Sequence, residues 1–505
     1  MPLLTTESII LVLVLVGGAI FLAVRLIFEH SYTYWKKKGV PFLKPKFPKG
    51  NANYFIPRDA TYAGEAKYWF DEFRKRGYKF GGVWSGNRPV LVLTDPEYIK
   101  DIITKDFHHF IDRDFAVNHR DLLTVHLFNI RNPEWKSLRQ KLTPTLTSGK
   151  MKIMFDGVLK CSNYMIDSLQ KDAQIGSDIN IREVLAAFTT DVIGNVAFGV
   201  DCNSFDESQN EFRKNGRLLF RTSFTKSLKR FILSYFPNFF HLLQLKLTPA
   251  ALDFFVNVVK QAMEFRSKNN VHRNDFLQLL IDMNQEKKDG EKPFSFEQIV
   301  ANTILFFIAG FDTSSTAMNF TLYELSRNPE IQEKARQEIN KVLLKYDGQV
   351  TYESLQEMSY LQQCIDEAMR KFPSLITLAR ICTKDYQLRN TNIIIEKGTS
   401  VVISTLGLGM DPEYFPDPEK FDPERFTAEA KASRHPYIHL PFGEGPRNCI
   451  GLRFGIMQTK IGLVKILTNF RISVSPSTKM PLTIDERFFL LKSKETLHLK
   501  AESLI

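Results

Sequence analysis

The chain has 505 residues, 44% of them apolar and 42 of them phenylalanine, so it can bury a large core. Five cysteines without regular spacing exclude a disulfide framework and point to a reducing compartment. The formal charge of +11 is uneven: residues 31–50 hold Lys36, Lys37, Lys38, Lys44, Lys46 and Lys49 and no acid, and because this cluster follows an apolar segment, a membrane is a better partner than nucleic acid.

Ser8 to Val24 is uncharged and apolar, and extends to Phe28 if Arg25 snorkels. A helix from Ile9 to Phe28 would span about 30 Å, one hydrocarbon core. No basic stretch precedes it and no small-residue cleavage site follows, which argues against a cleaved signal peptide. Tyr32, Tyr34 and Trp35 are expected to form an interfacial belt, and the lysines beyond place the remainder in the cytosol. Three segments follow: an anchor over residues 1–30, a basic hinge stiffened by Pro41, Pro45 and Pro48 over 31–50, and a globular domain over 51–505.

The alternation from Gly77 to Leu93, closed by Asp95-Pro96, predicts strands. Asn132 to Thr147 predicts a helix with Trp135 and Arg139 four apart on one face, an ordinary amphipathic pair by itself. A helix of about 48 Å is predicted from Phe296 to Arg327, opened by a Ser295/Gln298 capping box and stopped at Asn328-Pro329. Its centre, Ala309 to Ser314, reads A-G-F-D-T-S. A glycine, an aspartate and hydroxyls inside an apolar helix oppose helix propensity, the glycine alone by about 1 kcal/mol. Thr313 can bond back to the Ala309 carbonyl, so this is either a bent core helix or a functional break. Ser359 to Phe372 is a further helix, with Glu367 and Arg370 on one face, by themselves a plain surface ion pair. A hairpin is expected from Tyr386 to Ile403.

Near the C-terminus, Pro441 to Gly451 reads P-F-G-E-G-P-R-N-C-I-G. Gly443, Gly445 and Pro446 bend the chain ahead of Cys449, Arg447 stands beside it, and a helix is expected from Ile450 to Asn469. That setting predicts a lowered thiol pKa, suited to a nucleophile or a soft ligand on iron. Cys161, Cys202, Cys364 and Cys382 lack it. The glycines miss the dinucleotide spacing, and no G-K-[ST] follows. No G-x-S-x-G or H-E-x-x-H occurs, and the adjacent His108 and His109 cannot share a metal on a regular element.

Phe442, Gly445, Arg447, Cys449 and Gly451 fit F-x-x-G-x-R-x-C-x-G, so the chain resembles the cytochrome P-450 family of haem-thiolate monooxygenases. Three further motifs fit in the same order: Trp135/Arg139, the A-G-F-D-T-S centre, and Glu367/Arg370 with Arg425 in F-D-P-E-R-F. T-P-T-L-T-S-G-K, Thr143 to Lys150, resembles the microsomal subgroup, and the whole resembles the insect detoxification branch. The resemblance implies a mainly α, triangular helical domain with a smaller β-rich part, behind one N-terminal transmembrane helix. It implies haem b with Cys449 on the iron, and Arg447, Trp135, Arg139 and Arg380 as propionate partners. Gly310 would open a groove for dioxygen, and Ile308 and Ala309 would face substrate. Thr313 and Asp312 would serve oxygen activation and proton delivery, and Glu367, Arg370 and Arg425 would form a structural triad.

Phe231 to Leu247, with Phe236, Phe239 and Phe240, would dip toward the membrane, and the run at Phe489, Leu490 and Leu491 would return to the substrate pocket. The implied reaction is hydroxylation of apolar xenobiotics such as insecticides or plant toxins. Electrons would come from NADPH through cytochrome P-450 reductase, with cytochrome b5 as a second partner, at the endoplasmic reticulum. An endogenous lipid or hormone is the alternative substrate. A haem-thiolate isomerase or dehydratase and a haem-based sensor are the competing activities. One departure is visible: Gly409 stands where many microsomal members carry histidine.

Overall fold

The computed structural model describes residues 6–52, 63–206, 211–220, 224–235, 242–243, 251–285, 293–485 and 490–504. Helices important to the site and its anchoring are α1 (Thr6–Ser31), α2 (Glu134–Leu142), α3 (Ser148–Gln174), α4 (Ile181–Ile193), α5 (Phe296–Arg327), α6 (Ser359–Lys371) and α7 (Leu452–Asn469). The predicted central helix matches α5 at both ends, and its capping box is formed, with Gln298 N donating to Ser295 Oγ at 3.2 Å. A helix apolar around most of its circumference must be enclosed. Accordingly α5 packs against α4, α6 and α7 at once. The shorter α2 gives way at Thr143 to a single 3-10 turn, because Pro144 has no N–H to continue an α ladder.

The main sheet has four strands: β1 (Phe80–Ser85), β2 (Arg88–Leu93), β3 (Thr377–Ile381) and β4 (Ser400–Ser404). Their spatial order is β1-β2-β4-β3, with β2 parallel to β4 (Val90 opposite Ser400) and the other pairs antiparallel. The expected Tyr386–Ile403 hairpin is therefore divided. Tyr386–Gln387 pairs only with Ile394–Ile395, while β4, buried along its whole length, takes a central place and needs partners on both edges. A mainly helical body with a small β part is the architecture expected from the sequence.

Helix α1 is apolar and exposed, and long enough to cross a membrane. The segment after it is docked on the sheet. Trp35 is fully buried, with Nε1 donating to the Val83 carbonyl at 3.0 Å, so it is not an interfacial residue as expected. Phe42 bridges Gly82, Gly50 bridges Ser85, and Trp84 Nε1 donates to the Ser31 carbonyl at 3.1 Å. Indole rings carry too much apolar area to stay in solvent when a sheet face is within reach. Phe236, Phe239 and Phe240 lie outside the described residues.

Candidate active site

The cysteine loop is folded by its own backbone. Asn448 N donates to Gly445 O at 3.0 Å and Cys449 N to Phe442 O at 2.8 Å. Gly443 and Gly445 have φ of +66° and +74°, and a Cβ on Gly445 would stand 2.0 Å from the Ile103 carbonyl oxygen. Only glycine fits there. The loop delivers Cys449 to the wall of a cavity of about 480 Å³, and of the five cysteines it alone borders that space. Its residue surface is exposed, but only into this interior space, so burial dominates and pushes the thiol pKa up. The Gly451 backbone, Arg113 and Arg139 pull the other way, less strongly. The expected lowering by Arg447 is not found, because that guanidinium turns from the sulfur to the carbonyls of Ile111 and Ile130, both at 2.9 Å.

Among the described residues, four arginines border the same cavity: Arg113, Arg139, Arg380 and Arg447. Arg447 reaches Asp112 at 3.3 Å and stacks 4.2 Å from the Trp135 ring. Arg139 fixes the loop through Asn448, at 3.0 Å to its carbonyl and 2.7 Å to Oδ1. Arg380 donates to the Ala379 carbonyl at 2.9 Å, and its Nε is buried with no hydrogen bond among the described residues. Burial lowers the Arg380 pKa to about 10, and burial with the neighbouring Arg380 lowers that of Arg447 to about 9. Arg113 is depressed for the same reasons. It carried no sequence motif, since it stands alone in a loop. Buried cations this close together call for an anion.

Across the cavity, Ile308, Ala309, Gly310, Asp312 and Thr313 of α5 form the facing wall. Thr313 Oγ1 donates to the Ala309 carbonyl at 2.5 Å, the back-bond expected from sequence. A Cβ on Gly310 would meet Ile193 Cδ1 at 2.4 Å, so this glycine lets α4 approach α5 closely. Apolar wall comes from Phe115, Phe128, Phe306, Leu375 and Leu490. Leu490 thus returns to the cavity as expected, Leu491 is buried in the core, and Phe489 is outside the described residues.

Behind the loop, Glu367 and Arg370 are both fully buried and paired at 2.6 Å. Arg370 also donates to the carbonyls of Gly409 at 2.7 Å and Pro418 at 2.8 Å, and Glu367 accepts from Asp422 N at 3.0 Å. Arg425 Nε stands 3.4 Å from Glu367. The glycine at 409 has a local reason, since a Cβ there would lie 2.3 Å from the Arg370 carbonyl oxygen.

The sequence model of the cytochrome P450 family matches residues 57–500. The chain belongs to the cytochrome P450 family. Similar curated proteins include probable cytochrome P450 6a13 of Drosophila melanogaster, 41% identical over 98% of this chain and 99% of the fly protein. Cytochrome P450 6a2 of the same fly is 38% identical over 95% and 97%. Cytochrome P450 6A1 of Musca domestica is 35% identical over 94% of each. The family implies a haem with a cysteine-thiolate iron ligand, and the cavity fits that group. It offers one cysteine, apolar walls on the facing side, and a cluster of buried arginines where an anionic edge would neutralise them. P450 membership makes the protein a haem monooxygenase that uses dioxygen.

Proposed function

We propose that the protein is a membrane-anchored monooxygenase of the endoplasmic reticulum that hydroxylates apolar xenobiotics. The overall reaction is R–H + O2 + NADPH + H+ giving R–OH + H2O + NADP+, with electrons delivered by NADPH–cytochrome P450 reductase. One observation carries this reading: a single cavity joins the Cys449 thiol and the arginine cluster to the Asp312/Thr313 wall of α5. When bound, haem supplies the redox chemistry and the site of oxygen activation. Cys449 would hold its iron, and Arg113, Arg139, Arg380, Arg447 and Trp135 its propionates. Phe442, Gly445 and the rest of the loop hold the cysteine in place. Phe115, Phe128, Phe306 and Leu490 hold an apolar substrate and exclude water, while the small Ala309 keeps the α5 wall low enough for it to approach.

Thr313 acts at its hydroxyl. Mid-helix, Oγ1 adds nothing to packing and already has a carbonyl partner at 2.5 Å. By turning from that carbonyl it can donate into the cavity beside Asp312 and help steer protons. Glu367, Arg370 and Arg425 hold the fold behind the loop. The similarity to insect P450s of the 6a group supports a detoxification role.

The test is turnover with purified reductase and a panel of apolar compounds. Wild type consumes NADPH and forms hydroxylated product. Thr313→Ala still binds haem and substrate and still consumes NADPH, but product per NADPH falls severalfold while hydrogen peroxide rises. Thr313→Ser lies between. A fully coupled Thr313→Ala variant removes the proton role, and a wild type that consumes no NADPH removes the monooxygenase reading.

A further inference from the structure

The wall that carries Thr313 also carries a buried acidic side chain whose partner comes from near the C-terminus. Asp312 is 5% exposed, and its Oδ2 is buried without a hydrogen bond among the described residues. Lys492 Nζ stands 3.4 Å from that oxygen, and both residues border the cavity. A carboxylate in an apolar wall is costly unless a cation answers it.

The position of Lys492 is built in. Leu491 N donates to Ser374 O at 3.0 Å, and Leu490 bridges Leu375. Asp485 N donates to Lys492 O at 2.7 Å. Ser374 in turn donates its hydroxyl to the Thr313 carbonyl at 3.1 Å. The segment after α6 is thus bonded to α5 on one side and to the C-terminal turn on the other. It sets the distance between the base of Lys492 and the backbone next to Asp312.

We propose that Lys492 is the positioning residue for Asp312. Its ammonium holds the carboxylate turned to one side of the α5 wall, so that Asp312 presents its other oxygen toward Thr313 and the cavity. Asp312 can move only when this pair opens. The role is exerted through Asp312, with no contact to the reacting atoms required. The inference rests on the monooxygenase reading above and deepens it by naming what controls the acid on that wall.

The experiment compares Lys492→Met and Lys492→Arg, each alone and with Asp312→Asn, in the full-length haem-loaded protein. The C–O stretch of the ferrous carbonyl complex reads the electric field on this side of the cavity and needs no turnover. It moves in Lys492→Met and returns toward wild type in Lys492→Arg. With reductase, Lys492→Met loses product per NADPH severalfold, with substrate affinity by spectral titration unchanged. Because the two residues act as a unit, adding Lys492→Met to Asp312→Asn causes no further loss of coupling. An unmoved C–O stretch overturns the proposal, as does a loss that multiplies in the double variant. A changed substrate affinity with coupling intact also overturns it, since Lys492 would then be a substrate contact. If wild type forms no product at all, the monooxygenase reading fails, and the C–O stretch still decides the role of Lys492.

Discussion

Arg370 and Arg380 are both buried arginines, each 2% exposed or less, and they are held in opposite ways. Arg370 has its own counter-ion, the Glu367 carboxylate at 2.6 and 2.8 Å, and further carbonyls complete its fork. Arg380 has one carbonyl, an Nε without a hydrogen bond among the described residues, and cationic neighbours in Arg113 and Arg447. The first site is complete within the chain. The second has the character expected of a site that receives an anion, as the proposed propionate role of Arg380 requires. Comparing a buried charge with the partners the chain gives it separates residues that hold the fold from residues that hold a cofactor.

The sharpest way to break this comparison is at the ligand. Cys449→Ser should abolish the red-shifted Soret band of the reduced carbonyl complex, whereas Cys161, Cys202, Cys364 and Cys382 changed singly to Ala should keep it. Retention of the band in Cys449→Ser would falsify the thiolate assignment. Next comes the self-sufficient site. Glu367→Ala leaves Arg370 as a buried charge without its acceptor, a loss of about 3–5 kcal/mol. Little folded haem protein should be recovered, as measured by haem content and thermal melting. A normal melt would mean that the carbonyls around Arg370 suffice without the carboxylate.

If the Arg380 site takes up the cofactor's anionic edge as proposed, it should respond with two opposite signs. Arg380→Met removes a cation that burial already disfavours, so the haem-free protein should gain stability in denaturant unfolding. The same change should weaken haem retention about tenfold in a transfer assay. Loss of stability in both forms would place Arg380 with Arg370 instead.

The smallest effect concerns His126, buried on the cavity wall, with burial and Arg113 bringing its pKa from 6.5 down to about 4. The unfolded chain takes up a proton below 6.5 that the folded chain refuses until about 4. Stability is therefore whole above that window and falls as pH drops through it, by about 1.4 kcal/mol per pH unit at the steepest. His126→Leu should flatten this part of the profile of melting temperature against pH. An unaltered profile would mean that another group titrates there.

What the sequence made legible was local. The ends of α5, the bend at Gly445 and the Glu367/Arg370 pair lie within a few residues of the signals that specify them. Trp135 and Arg139 were also visible as a pair, because one helical face presents both. Arg113, Lys492 and His126 were not. Each stands in an irregular segment with no period, and it is the folded chain that brings each to the cavity, as when Arg113 donates to the Arg447 carbonyl at 2.8 Å. The thiol pKa was misjudged for a related reason. Adjacency in sequence put Arg447 beside Cys449, while in space its guanidinium serves Ile111, Ile130 and Asp112. Trp35 was misread because an aromatic after an apolar helix reads the same whether it meets lipid or a sheet.

The docked segment between α1 and the sheet has a mechanical meaning. Ser31 is bonded to both Asn87 and Trp84, and Phe47 packs edge-on against Phe21 and Phe28, so no slack leash separates α1 from the globular body. Where α1 stands in a bilayer, the body cannot swivel like a buoy on a rope. It is carried like a flag on a pole, and the tilt of the pole sets which face of the enzyme skims the lipid.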